Sequence, residues 1–494
     1  MVSYARLNPQ VAAASICLIF FSLSSAFVLG NYQNHNGDFG QYFLHARNIL
    51  EGRSWDYALI GKPAVLPGYP MILTVIVGIA GLNGYAIGLV NALFWAAACF
   101  LAYRLYEEKF ISALTGYAYL ILILFSPYLI YFQQDGQPNI FYSLTFMAAL
   151  WASRRWSTTS PKIYEILLVM LPAVVRLESV ALYAAVFLFL VCQRRLWQSA
   201  IPLAGLLLSL SLDLSLNYLY SVNSNIALGT QIGQRLVGES PPFLSLLVTF
   251  LATALGYLLT IAEVLLPTFV VRPLSFVLAA DLGPTVKFGL AHVALVVWLG
   301  ISLLVVRPLL SPDKIALAAH VSVISMFMLS ALPHRYLLPI VPIAGFYLVA
   351  GMERIPLILP GKQFLGTVLL AIAVGFGAYN FLTKMNVPRA ANSLLTADAR
   401  EMAIWVAAEQ DERVVGYWKD RLMQVLLDVY GGDPSKVVGV RTDRQIEAVF
   451  KDDGLVVFMI NPSISPDLVA SAQRSGTEVW RNRSFAVYGR SVGR

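Results

Sequence analysis

The sequence predicts a polytopic α-helical membrane protein of about 11 to 13 spans, followed by a soluble C-terminal α/β domain. Three observations predict it. Hydrophobic residues make up 58% of the 494 and charged residues only 13%, more apolar surface than a soluble fold of this length buries. The apolar residues fall into separated runs that read as helical spans, roughly 10–30, 84–104, 111–131, 140–153, 163–175, 177–193, 198–220, 288–306, 314–332, 336–352 and 363–382. From about Arg389 the pattern changes to short helices alternating with β-rich runs, as in a layered α/β unit. The division falls at 1–388 for the membrane part and 389–494 for the soluble part.

The first span follows Arg6 and covers Val11–Leu29. It is long enough to cross a bilayer, which favours a retained anchor over a cleaved signal peptide. Residues 389–494 hold 14 Lys/Arg and 14 Asp/Glu, so the whole excess of +7 belongs to residues 1–388. Arg104 and Lys109, Arg154, Arg155 and Lys162, Arg194 and Arg195, Arg307 and Lys314, and Arg354 and Lys362 all fall on the side of Arg6. That is a positive-inside pattern. It places Asp38, Asp135, Arg176, Glu178, His334 and Arg335 together on the opposite side, and an odd number of spans puts the C-terminus there too. The basic excess in short loops is a topology signal, and no nucleic-acid partner is expected.

Residues 243–271 are apolar enough to cross once, but one extra crossing would invert every later loop. An interfacial or re-entrant helix is expected there, or a hairpin crossing twice, interrupted near Pro267 and Pro273. In the C-terminal part, helices are expected near 397–410, 419–430, 442–451 and 465–474. Strands are expected at Val414–Trp418, Val437–Val440 and Leu455–Ile460, with a closing hairpin of Glu478–Trp480 and Phe485–Tyr488. This part has neither a dinucleotide fingerprint nor a phosphate loop. Cys17, Cys99 and Cys192 lie in apolar stretches without metal-ligand spacing, so no metal site and no cofactor are assigned.

Chemistry concentrates after the first span. His35 and Asp38 are followed by Gln41, Tyr42 and His45, then by Lys62-Pro63 and by Pro67-Gly68-Tyr69-Pro70. From Asp38 to about Glu51 the chain reads as an amphipathic helix closed by Gly52. Asp38, Gln41, Tyr42 and His45 form its polar face, and Phe39, Phe43, Ala46 and Leu50 form an apolar face suited to the bilayer surface. Asp38 can therefore be a carboxylate held at headgroup depth, or an acid that merely starts a helix. His292 and His320 lie inside apolar runs and are read as packing residues.

An acid soon after the first span, an amphipathic segment, Lys-Pro, Pro-Gly-Tyr-Pro and then Gly88-Leu89-Val90-Asn91-Ala92-Leu93 resemble the GT-C superfamily. These are polyprenyl-phosphate-sugar-dependent glycosyltransferases, among them protein O-mannosyltransferases and lipid A aminoarabinose transferases. The resemblance is closest over 35–110, weaker to about 350 and absent from the tail. It implies that Asp38 is the catalytic base, taking a proton from the acceptor hydroxyl as that oxygen attacks the anomeric carbon. Inversion in one displacement is expected, since retention would want a second, nucleophilic carboxylate. Asp135 begins the second external loop, where the family often carries another acid; it is either a solvated turn residue or a group that orients the acceptor or holds a metal.

Arg176-Leu177-Glu178 is similar to the family's Arg-Pro-Glu pattern, with Leu177 departing from it, and is otherwise a structural ion pair. His334-Arg335-Tyr336-Leu337-Leu338-Pro339 resembles the family's Arg-Tyr-Leu-Leu-Pro segment. Arg176, His334, Arg335 and Lys62 are thus expected around the donor phosphate, with Lys62 open to a simple snorkelling role. His35, Tyr42, Tyr69 and Glu178 are expected to line the substrate site.

The resemblance implies transfer of a sugar from a polyprenyl-phosphate donor to a glycan, lipid or protein acceptor. The expected setting is a bacterial inner membrane, with the active site and C-terminal domain facing the periplasm. Two other readings stay open. A transporter or flippase of lipid-linked sugars would show internal repeats, which the sequence lacks. A polysaccharide ligase or polymerase would use a diphosphate-linked donor.

Overall fold

The structure, a computed structural model, describes residues 8–30, 37–55, 65–81, 84–127, 137–156, 158–220, 243–267, 275–278, 286–308, 311–327, 334–354, 362–385, 397–411, 413–417, 420–460 and 466–490. The N-terminal part is a helical bundle. In chain order it contains α1 (Pro9–Gly30), α2 (Gly37–Leu50), α3 (Gly68–Ala80), α4 (Gly84–Tyr106), α5 (Ala113–Leu124), α6 (Asn139–Arg155) and α7 (Ile163–Met170). It continues with α8 (Ser179–Cys192), α9 (Leu196–Tyr220), α10 (Phe243–Leu265), α11 (Leu290–Val305), α12 (Pro312–Phe327), α13 (Val341–Arg354) and α14 (Lys362–Met385). Within the described residues, each of the eleven apolar runs is occupied by helix. Among the described residues, five helices are long and apolar enough to cross a bilayer by length and composition, and shorter apolar helices accompany them.

Two segments depart from the sequence expectation. Residues 68–80 form α3, a helix of 13 residues that was not anticipated as a separate element. Residues 243–265 form one unbroken helix, α10, which excludes a hairpin within them. No proline interrupts that stretch, and Pro267 follows its end, where a helix stops readily. Beyond it, β1 (Ser275–Leu278) and β2 (Val286–Gly289) pair antiparallel, a ladder that no sequence signal announced.

α4 packs against α1, α5 and α6, while α5 packs against α13 and α14. The core between them is aromatic: Trp95, Tyr106 and Tyr119 are fully buried, and the rings of Tyr106 and Phe346 stack at 3.8 Å. Among the described residues, Lys109, Arg154, Lys314 and Arg354, which the charge pattern assigned to one side, gather at one end of the bundle. Arg154 donates to the Leu105 carbonyl, Arg354 to that of Lys109 at 2.6 Å, and Lys314 to that of Val306 at 2.6 Å. Each closes the C-terminal end of another helical segment, where unsatisfied carbonyls and the helix dipole favour a cation. At the same end Glu353 accepts from the Ile111 and Ser112 amides that lead into α5, at 2.9 and 3.0 Å. Asp313 is buried there, accepting hydrogen bonds from the hydroxyls of Tyr347 at 2.6 Å and Tyr106 at 3.1 Å.

The C-terminal region contains α15 (Ala397–Gln410), β3 (Val415–Tyr417), α16 (Asp420–Tyr430), β4 (Val437–Gly439), α17 (Asp443–Lys451), β5 (Leu455–Met459), α18 (Pro466–Ser475), β6 (Thr477–Arg481) and β7 (Phe485–Gly489). These elements start and end within a residue or two of the expected ones. The sheet order is β4-β3-β5-β7-β6. β3 is parallel to both β4 and β5, and β7 is antiparallel to β5 and β6. The two parallel pairings need helical crossovers, which α16 and α17 supply.

Candidate functional site

At the bundle end opposite the basic cluster, four short pieces of chain meet. The first is α2. Its backbone begins at Gly37, so Asp38 stands in the first turn, and its side chain lies outside the described residues. His35, Lys62 and Asp135 also lie outside the described residues. Gly52, at φ +64°, lets the chain leave the helix, and the Arg53 amide donates back to the Asn48 carbonyl at 2.9 Å.

The expected exposure of α2 is corrected by its surroundings. Gln41, His45 and Asn48 on the polar side are buried, as are Phe43 and Ala46 on the apolar side. The cause is that α2 lies between two elements, α3 and the C-terminal helix α16, rather than on a lipid surface. His45 stacks on Trp55 with ring centroids 4.4 Å apart. Arg47 and Arg53 reach Asp428 of α16 at 3.1 and 2.5 Å. Among the described side chains of α2, only Ile49 and Leu50 near its end are exposed large apolar residues.

The second piece is the start of α3 in the Pro67-Gly68-Tyr69-Pro70 motif. A Cβ on Gly68 would sit 2.7 Å from the Val174 carbonyl oxygen, so only glycine permits this approach. Tyr69 is buried and meets Tyr42 edge-on, with ring centroids 5.6 Å apart. The two tyrosines expected in the substrate site are therefore neighbours.

The third piece follows α7. Pro172 helps turn residues 171–174 into a short 3-10 helix, and Arg176 emerges before α8. Its Nε and Nη2 donate to the two carboxylate oxygens of Glu178 at 3.0 and 2.8 Å, a bidentate pair. Its Nη1 donates to the side-chain oxygen of Asn139 at the start of α6. Burial pushes the Glu178 carboxyl up, but the Arg176 charge and hydrogen bond outweigh it and hold the group below the usual carboxylate range. Glu178 is thus engaged with Arg176.

The fourth piece is the 3-10 turn His334–Ile340 ahead of α13. Pro339 and Pro342 each remove an amide donor, which suits a short 3-10 entry to a helix. The Arg335 and Arg176 guanidinium groups both lie over the Tyr336 ring, 5.4 and 4.8 Å from its centroid. These two arginines, expected to share a phosphate, are brought together across one aromatic ring.

Sequence reasoning missed Glu263 of α10. Its Oε2 is 2.6 Å from His334 Nε2, and its Oε1 is 3.3 Å from His292 Nε2. His292 is therefore more than a packing residue. Its partner lies 29 residues away and that of His334 lies 71 residues away, separations that no local pattern connects. The available signal was that Glu263 is the only charge in the run 243–265, and a lone acid in an apolar helix is seldom idle. His320 keeps its packing role, buried beside Tyr142 and Phe146, and also bonds the Tyr336 carbonyl at 2.8 Å. Among the described residues, no group of three or more His, Cys, Asp or Glu could hold a metal ion.

Just past Glu263, Leu265 and Leu266 help line an apolar cavity of about 340 Å³, together with Trp298, Leu348, Leu369 and Phe376.

No family model matches the chain, and no curated protein matches it by sequence. Solved structures do match in fold. ArnT from Cupriavidus metallidurans in the apo state aligns with a TM-score of 0.58 at 13% identity, covering 97% of this chain and 98% of that one. The structure of the same organism's ArnT bound to undecaprenyl phosphate aligns with a TM-score of 0.52 at 12% identity, covering 98% of each chain. The chain is therefore a largely helical protein, with apolar helices of membrane-crossing length, built on the fold seen in ArnT.

Proposed function

We propose that the protein is an inverting glycosyltransferase that moves a sugar from a polyprenyl-phosphate carrier to an acceptor hydroxyl at the periplasmic face of a bacterial inner membrane. The observation that supports this most is the convergence of Arg176 and Arg335 over Tyr336, with Tyr42 of α2 packed against Tyr69. Asp38 lies one helical turn before Tyr42 on the same helix. The fold likeness to an ArnT structure bound to undecaprenyl phosphate agrees with a lipid-phosphate ligand.

In this reading the Asp38 carboxylate takes the acceptor hydroxyl proton. The acceptor oxygen forms its bond to the anomeric carbon while the bond from that carbon to the phosphate oxygen breaks. Polyprenyl monophosphate leaves with the electron pair, and its growing charge is met by Arg335, Arg176, His334 and Lys62. Glu178 keeps Arg176 extended towards that charge. Tyr69 and His35 border the sugar, Asp135 orients the acceptor, and part of the carrier's hydrocarbon lies in the apolar cavity beside Leu265. Residues 1–388 form the catalytic part, and residues 389–494 form a periplasmic domain.

The test is product analysis with purified protein in lipid discs and a radiolabelled polyprenyl-phosphate sugar. Free polyprenyl monophosphate released in step with labelled acceptor supports the reading. Release of diphosphate points to a ligase or polymerase, and movement of intact donor across vesicles without bond cleavage points to a flippase.

A further inference from the structure

We propose that Glu263 is a positioning residue of the donor site: its carboxylate clasps His334 and His292 and thereby fixes the turn that presents Arg335. The proposal rests on the donor-site reading above. Each oxygen of the carboxylate serves a different element. Oε2 meets His334 on the 334–340 turn at 2.6 Å, and Oε1 meets His292 on α11 at 3.3 Å. α10, α11 and the turn are thus tied at one point. Two residues on, the Tyr336 carbonyl is held by His320 of α12 at 2.8 Å. Arg335 lies between these two pins, so its backbone is constrained on both sides.

The physical setting gives the clasp its weight. Glu263 is a single acid on an otherwise uncharged apolar helix, where an unemployed charge is strongly disfavoured. The His292 side chain is almost fully buried, and charge-assisted hydrogen bonds are stronger in such surroundings. Holding a binding group in its bound arrangement lowers the ordering cost of binding, so an element bearing a phosphate-binding arginine gains donor affinity from such a fixed frame. Glu263 need not touch the donor to matter; it acts through His334 and the turn.

Full-length protein in lipid discs should be titrated with farnesyl phosphate, a short-chain polyprenyl monophosphate, by calorimetry, and assayed with varied donor and acceptor. Glu263→Gln should weaken farnesyl phosphate binding about tenfold and raise the donor KM similarly, while the acceptor KM and the kcat at saturating donor stay near wild type. Glu263→Asp, which keeps the charge on a shorter arm, should fall between the two. In a His334→Gln background the Glu263→Gln change should add less than about twofold, since contacting residues are not additive. Equal binding by wild type, Glu263→Gln and Glu263→Asp would overturn the role of Glu263 alone. Independent effects of the two substitutions, or a loss confined to kcat, would do the same. No binding of farnesyl phosphate by the wild-type protein would instead overturn the donor-site reading itself. Should Glu263→Gln not fold, Glu263→Asp decides between these outcomes by the same donor-selective shift.

Discussion

Asp428 of α16 holds Arg47 of α2 at 3.1 Å, with the Asp428 side chain only 3% exposed. Arg53 reaches the same carboxylate at 2.5 Å, and Arg47 also pairs with Glu51 at 2.6 Å. A region whose sequence carries no recognisable catalytic motif is thereby fastened to the helix whose first turn contains Asp38. Breaking a buried pair leaves an uncompensated charge, and the partial exposure of both arginines reduces the penalty. A double-mutant cycle of Arg47→Ala and Asp428→Ala, read by thermal unfolding, should give a coupling of about 1–2 kcal/mol. Asp428→Ala should also lower turnover. Unchanged turnover would mean that the contact is structural only.

Asp38→Asn should lower transfer about 10²- to 10⁴-fold, the usual contribution of a general base, while farnesyl phosphate still binds. Asparagine caps a helix about as well as aspartate, so a residue that only starts α2 would tolerate the change. Near-normal turnover by the folded variant would remove Asp38 from the mechanism and promote Asp135.

Gly68→Ala tests how the Pro-Gly-Tyr-Pro motif works. The added methyl would meet the Val174 carbonyl at 2.7 Å, pushing α3 away from the turn that leads to Arg176. Overpacking of this kind costs about 1–3 kcal/mol, so the melting temperature and the turnover should fall together. A fall in neither would show that the two segments separate freely.

The Arg176–Glu178 pair sets a pH dependence with a defined sign. The Glu178 carboxyl is held below its ordinary range by Arg176 despite burial. Its contribution to stability is therefore complete above the ordinary carboxylate pKa and is lost as pH falls through the lower folded value. Melting temperatures should decline on acidification below about pH 4. Glu178→Gln should flatten that decline while lowering stability near neutrality, and a profile identical to wild type would show that other acids govern it.

Sidedness is checked with Ser475→Cys in α18, an exposed position, placed in a background with Cys192→Ser because Cys192 is also exposed. An impermeant thiol reagent should label it in cells whose outer membrane alone is permeabilised. Labelling only after lysis would move the donor site to the cytoplasmic face.

Much of this fold is legible in the sequence because helices in lipid must be apolar and the loops must carry the charge. Within the described residues each apolar run is helical, and Arg154, Lys314 and Arg354 of the charge-sorted set do share one end of the bundle. α3 escaped because its 13 residues are short for a span and begin with two prolines bracketing Gly68-Tyr69. The grouping of Arg176 with Arg335 was legible from motif resemblance. The partners Glu263 and Asp428 were not, because each lies far along the chain from what it holds. The amphipathic pattern of α2 was legible too, but it could not say that helix rather than lipid would cover its apolar side.

The closed helix ends around Leu105, Lys109 and Val306 have a mechanical meaning. There, side chains are bonded to backbone groups of other helices, so separating them means breaking the frame itself. At the far end, Arg176–Glu178, Glu263–His334 and Arg47–Asp428 join side chain to side chain, and such joints yield by rotamer changes alone. Single substitutions at Glu178, Glu263 or Asp428 therefore loosen the region around Tyr336 while the end around Leu105 stays closed.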